Sequence, residues 1–172
     1  LSEEERIKVV KAINRFTALD PACGSGAFPM GLLQKLVYVL QEVDPDCSKW
    51  MDEQCASLPR EIRNKVRSSL HAKGIDYVRK LGVIRQCTYG VDIQPVATEI
   101  SRLRCFLTLI VDESVDDMKE NRGIEPLPNL EFKFVTANSL LSLDNLLEGS
   151  EQGELFGNVE HIEELANIRE NF

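Results

Sequence analysis

The sequence predicts an α/β chain built on a parallel sheet, and three observations predict it. A short apolar run at Phe16–Leu19 passes through a glycine turn into a long helix with an apolar stripe. A second run, Gln86–Val91, ends on an acid and leads to a helix opened by a proline. A third run centres on Leu130, Phe132 and Phe134. The order strand–helix–strand–helix–strand implies right-handed crossovers, and so parallel pairing.

Each element has its own signal. Ser2 followed by Glu5 is a capping-box pattern, and Ile7, Val10 and Ile13 continue it at helical spacing. The run Phe16–Leu19 then meets Asp20-Pro21-Ala22-Cys23-Gly24-Ser25-Gly26, and Pro29 stands where a helix tolerates a missing N–H. Leu33, Leu36, Leu40 and Val43 form the stripe of that helix until Asp44-Pro45-Asp46 stops it. A charged segment, 47–85, reads as an insertion of two or three short helices. The second strand ends at Asp92, and Pro95 opens a helix with Val96, Ile100, Leu103, Leu107 and Ile110 on one face. A loop carrying Asn121, Gly123, Pro126 and Pro128 leads to the third strand, which finishes near Ala137-Asn138. Beyond it, 140–147 reads as a helical turn or two and 161–169 as helical. The expected division is an N-terminal helix (1–15), a core (16–141) holding the insertion, and an acidic helical tail (142–172). Three strands are half of a doubly wound sheet, so the chain reads as a portion of a larger protein.

Composition narrows the function classes. With 43 % hydrophobic and 28 % charged residues the chain is of globular type. It has no apolar run of about 18 residues, and its polar, acidic start is not a secretory signal. The five cysteines are odd in number, scattered and never spaced C-x-x-C, which fits free thiols in a reducing cytoplasm. His71 and His161 stand in no metal-ligand spacing. The net charge of −8 argues against a phosphate-gripping surface over the whole chain, yet Arg60 to Arg85 holds eight basic residues against two acidic ones. The candidates in that stretch are Arg60, Arg63, Lys65, Arg67, Lys73, Arg79, Lys80 and Arg85. They read either as a phosphate-contacting arm or as a solvated helix face.

The glycine turn and the strand tips form one crevice where an α/β sheet binds an adenosine-bearing ligand. Gly24 and Gly26 let the chain turn tightly and a ligand approach. Asp92, at the second tip, is placed to accept hydrogen bonds from two ribose hydroxyls, and Asn138, at the third, to bond an adenine edge. A dinucleotide fingerprint needs a small residue where Pro29 stands, and the carboxylate of Asp20 would repel a pyrophosphate. A ligand with a cationic amine would welcome it, and S-adenosyl-L-methionine carries such an amine and no phosphate. Cys23 has no evident base beside it and reads as a small residue that fits the turn.

The string Asp20-Pro21-Ala22-Cys23-Gly24-Ser25-Gly26-Ala27-Phe28 resembles, at every position, the first motif of N6-adenine DNA methyltransferases. Gly90-Val91-Asp92-Ile93 resembles their second motif, and Ala137-Asn138-Ser139-Leu140-Leu141 their third. Pro29 to Leu36, with Asp44-Pro45-Asp46, is most similar to large type IIG restriction–modification enzymes and related phage-defence methyltransferases of bacteria. The resemblance implies a partial class I S-adenosylmethionine-dependent methyltransferase fold, which is Rossmann-like. It implies that Asp20, Pro21 and the Ala22–Gly26 turn surround the methionine part of S-adenosyl-L-methionine. Asp92 would hold the ribose, Ile93 would pack on the adenine, Asn138 would read its edge, and Ser139 is a further cofactor-binding candidate. Phe28 would either border the pocket or anchor its helix.

The family's catalytic Asn- or Asp-Pro-Pro-aromatic motif is absent, because no Pro-Pro occurs in the sequence. No catalytic residue is therefore expected here, and this chain alone is expected to be inactive. DNA is the partner implied for the whole enzyme, and the cytoplasm its place. The alternatives are a non-catalytic S-adenosylmethionine-sensing module, or a methyltransferase acting on protein, RNA or a small molecule.

Overall fold

The computed structural model describes residues 1–56, 58–59, 63, 67–68, 74–112, 118, 122 and 130–141. The chain divides into two units, Leu1–Asn138 and Ser139–Phe172. The expected tail (142–172) and the loop at 121–128, apart from Arg122, lie outside the described residues, as do Arg60, Lys65, His71, Lys73 and His161. In the second unit residues 139–141 are described, with Leu140 and Leu141 exposed.

The first unit is α/β with five helices among the described residues: α1 (Glu3–Arg15), α2 (Ala27–Val43), α3 (Ser48–Cys55), α4 (Ile75–Cys87) and α5 (Pro95–Ile110). Three strands, β1 (Ala18–Asp20), β2 (Thr88–Asp92) and β3 (Phe134–Thr136), form one parallel sheet in that order. The parallel pairing and the strand–helix alternation are those expected.

α1 begins as its sequence predicts. The Ser2 hydroxyl accepts from Glu5 N–H, and the Glu5 carboxylate accepts from Ser2 N–H at 2.7 Å. That second bond holds the Glu5 carboxyl below its usual range. Val10 and Ile13 are buried beneath it, while Ile7 stays exposed. α2 buries Met30, Leu33, Val37, Leu40 and Val43, so its apolar stripe is the core face.

Strand limits shift by a residue or two. β1 starts at Ala18, because Phe16 caps α1 and is exposed. α4 runs through Gln86 and Cys87, which had been expected in the strand. Cys87 is buried against the Ile13 carbonyl, and the Thr88 hydroxyl donates to the Ile84 carbonyl, so the helix passes into β2 without a loop. Ahead of β3 a turn at 131–133 leaves Phe132, expected in the strand, exposed, while Leu130 and Phe134 are buried.

The insertion is anchored by buried polar groups. The Asp44 carboxylate, fully buried, accepts from Trp50 N–H at 2.8 Å and caps the start of α3. The formal N-cap, Cys47, sits at φ 60° with no side-chain bond to offer. Trp50, 0 % exposed, lies against Gly82 of α4. Arg79 of α4 is buried, donating to the carbonyls of Asp44 and Pro45 at 2.6 and 2.7 Å and to the Asp76 carboxylate at 2.9 Å. Asp76 also accepts from Gln41, and these bonds keep its carboxyl low.

Arg79 is therefore an internal tie and not the surface cation that the charge pattern predicts. A guanidinium held by two carbonyls and a carboxylate inside the fold cannot reach a phosphate. Lys80 is paired with Asp112, Arg67 with Asp52, and Arg63 donates to the carbonyls of Ala56 and Leu58.

α5 is turned opposite to the expectation. Val96, Ile100, Leu103 and Leu107 are exposed, and the buried face carries Thr98, Ser101, Cys105 and Leu109. The reason is distance. α5 lies close on the glycine turn and β3, where only small side chains fit and hydroxyls satisfy nearby carbonyls. The Thr98 and Thr136 hydroxyls share a hydrogen bond at 2.8 Å, and Arg102 donates to the Phe134 carbonyl at 2.7 Å.

Candidate cofactor site

The register explains why the strand tips and the glycine turn lie together. Asp20 pairs with Gly90, two residues short of Asp92, while Asp92 is level with Thr136. The chain leaving β1 must therefore arc over the end of β2. Two bonds fasten it there. Cys23 N–H donates to the Val91 carbonyl at 2.9 Å, and Gly24 N–H donates to the Asp92 carboxylate at 2.8 Å. The other Asp92 oxygen accepts from Gln94 N–H at 2.9 Å. An ionised carboxylate has about four acceptor positions, so both oxygens retain capacity for hydroxyl donors.

Asp20 ends β1 half-buried, and its carboxylate accepts from Ala22 N–H at 3.2 Å, closing the turn that Pro21 opens. Gly24 and Gly26 both adopt positive φ, +53° and +79°. A Cβ on Gly24 would meet nothing within 4 Å, so the space above it is open. A Cβ on Gly26 would stand 2.8 Å from the Ser101 hydroxyl, so here the glycine allows α5 to come close. Gly90 is equally tight beneath the turn: its Cβ would meet Phe134 at 2.8 Å and Cys23 Sγ at 2.9 Å.

Most backbone donors of the turn are bonded within the fold. The N–H groups of Ala22, Cys23, Gly24 and Gly26 are bonded within the fold, the last to the Cys23 carbonyl at 2.8 Å. Pro29 has none, and Met30 N–H bonds the Gly26 carbonyl. Ser25, Ala27 and Phe28 remain, three donors at the start of a 17-residue helix.

Cys23 is 5 % exposed. Burial pushes its thiol above the usual range, and the charges of Asp20 and Asp92 push the same way, against the opposing effect of the neighbouring Ser101 hydroxyl. A thiol held protonated is a packing residue and not a nucleophile. Phe28 and Ile93 are exposed, at 60 % and 66 %. Asn138 is half-buried just past β3, where Ala137 N–H donates to the Asp92 carbonyl at 3.0 Å. Ser139 belongs to the second unit.

Two residues beneath the turn had no signal in the motif strings. The Ser101 hydroxyl, fully buried, donates to the Gly24 carbonyl at 3.1 Å, and exposed Arg104 donates to the Ser25 carbonyl at 2.9 Å. A row of small residues at helical spacing on α5 could have pointed to Ser101. Among the described residues no group of three or more His, Cys, Asp or Glu is placed to hold a metal ion, and no helix is long and apolar enough to cross a membrane.

Sequence comparison gives this geometry relatives. The chain is 32 % identical over 129 residues, 75 % of its length, to a protein of Methanocaldococcus jannaschii described provisionally as a type II restriction enzyme and methyltransferase. It is 27 % identical over 139 residues, 81 % of its length, to the adenine-specific methyltransferase PglX of Streptomyces coelicolor. The matched segments are 9 % and 8 % of those two proteins' own lengths. No family model and no solved structure matches the chain. Over most of its length, the chain is similar to one short segment of each of these two much longer proteins.

Proposed function

We propose that this chain is the S-adenosyl-L-methionine-binding portion of a DNA adenine-N6 methyltransferase of a restriction–modification or phage-defence system. The observation that carries the reading is the clasp of Gly24 N–H on the Asp92 carboxylate, beside the Asp20 carboxylate and the open space above Gly24. Two acids at adjacent tips suit a ligand that brings an ammonium group and ribose hydroxyls, and they oppose one that brings phosphates. The relatives' names supply the reaction class, since one is an adenine-specific methyltransferase.

In this reading Asp20 faces the ligand's ammonium group, and the helix-start N–H groups face its carboxylate. Asp92 accepts from the ribose hydroxyls, Ile93 and Phe28 flank the adenine, and Asn138 lies at its edge. Pro21, Ala22 and Cys23 shape the turn. When bound, S-adenosyl-L-methionine supplies a sulfonium methyl group. This chain's residues hold and orient it; the acceptor chemistry belongs to residues outside the chain. DNA is the partner of the whole enzyme and the cytoplasm its compartment.

Calorimetric titration with S-adenosyl-L-methionine and S-adenosylhomocysteine tests the reading on the wild type, Asp20→Ala and Asp92→Ala. Binding to the wild type, with at least a tenfold loss in each variant, is the expected result. A folded wild type that binds neither compound overturns it.

A further inference from the structure

We infer that Ser101, assisted by Arg104, is a positioning residue that aims the Ser25 N–H at the carboxylate end of the bound ligand. The inference rests on the cofactor reading above and adds residues that no motif contains.

The argument follows the peptide planes of the turn. All are trans, so each N–H points opposite to the C=O of its own plane. In the Gly24–Ser25 plane the carbonyl is drawn down to the buried Ser101 hydroxyl at 3.1 Å, which sends the Ser25 N–H the other way, out of the fold. In the next plane the Ser25 carbonyl is drawn to Arg104 at 2.9 Å, while the Gly26 N–H closes back on the Cys23 carbonyl. Two consecutive carbonyls are thus held by side chains of α5, and of the intervening amides only that of Ser25 is left to a ligand. Without Ser101 the Gly24–Ser25 plane could rotate and present its carbonyl to the crevice, where it would repel a carboxylate.

Ser101 is fixed from below as well. It is 0 % exposed, and Gly26 approaches it so closely that a Cβ there would lie 2.8 Å from its hydroxyl. The close approach of α5, which places small residues inward, is what brings a hydroxyl within reach of the turn.

The test compares two ligands in the complete gene product. S-adenosylhomocysteine carries the amino-acid carboxylate, and 5′-methylthioadenosine has the same adenosine and thioether without it. Ser101→Ala should weaken S-adenosylhomocysteine about five- to tenfold, the worth of one hydrogen bond, and leave 5′-methylthioadenosine within about twofold. Arg104→Gln, at an exposed site, should show the same selectivity with a smaller loss, and it carries the test if Ser101→Ala fails to fold. An equal loss for both ligands would assign Ser101 a merely structural role and overturn the inference. So would no loss for either. A wild type that binds neither ligand would overturn the cofactor reading instead, which keeps the two failures apart.

Discussion

Gly82 sits in the middle of α4, where replacing glycine by alanine ordinarily favours the helix by about 0.8–1 kcal/mol. Here the opposite sign is expected. A Cβ at Gly82 would lie 2.7 Å from Cζ2 and Nε1 of Trp50, and 2.9 Å from Cε2. Ordinary carbon contacts lie at about 3.5–4.0 Å, so the indole must retreat by roughly 1 Å. It is 0 % exposed and planar, and its N–H reaches the Val78 carbonyl at 3.4 Å, a bond that cannot lengthen further and survive. Overpacking of this kind costs about 1–3 kcal/mol, and the lost indole bond about 1 kcal/mol more. Against the helix gain, Gly82→Ala should destabilise the chain by about 1–3 kcal/mol. Urea unfolding followed by fluorescence reads the contact directly, because Trp50 is the one tryptophan. In a Trp50→Leu background the clash is gone, and the same substitution should become neutral or stabilising. Stabilisation of the Trp50 protein by Gly82→Ala would refute the argument.

Three further predictions follow from other parts of the fold. Gly26→Ala forces a residue into φ +79° and onto Ser101, so it should cost about 2–3 kcal/mol in urea unfolding; Gly24→Ala meets only the backbone strain of about 1–2 kcal/mol, and should weaken S-adenosylhomocysteine more than it weakens the fold. Burial pushes the thiols of Cys47, Cys87 and Cys105 up to about 12, 11 and 12. Their native forms keep protons that the unfolded chain sheds above about pH 8.5, so this stability is complete below that pH and lost as pH rises towards the native values. Cys105→Ala should flatten the fall between about pH 9.5 and 11 by up to ~1.4 kcal/mol per pH unit, read from urea midpoints. On α5, Leu103→Gln and Leu107→Gln should each change stability by less than about 0.5 kcal/mol, whereas Leu109→Gln should cost at least ~2 kcal/mol.

That last contrast marks where the sequence was legible and where it was not. Strand, turn and helix at 18–43 follow from punctuation that has one physical meaning: an acid and proline to open the turn, glycines for positive φ, a stripe to bury. The capping box of α1 and the acid at the tip of β2 are equally local, and both stand as read. α5 misleads because its apolar stripe lies on the exposed face. Its inner face lies close to backbone, and Thr98, Ser101 and Cys105 do not register as a core in any hydrophobic pattern. Arg79 misleads for a related reason. A charge count treats every arginine as solvated, while this one is enclosed by carbonyls from a segment more than 30 residues away. Gln86 and Cys87 looked like strand because β2 follows them without a break.

The clasp between Gly24 and Asp92 carries a thermodynamic consequence. The turn is shaped by bonds that the protein makes to itself, from Val91, Asp92, Ser101 and Arg104, so little backbone freedom remains for a ligand to remove. Binding to such a preorganised loop is spared the ordering cost of a mobile one. The association rate should then report diffusion into the crevice and not a folding step, and thermal midpoints should climb with ligand concentration by mass action alone.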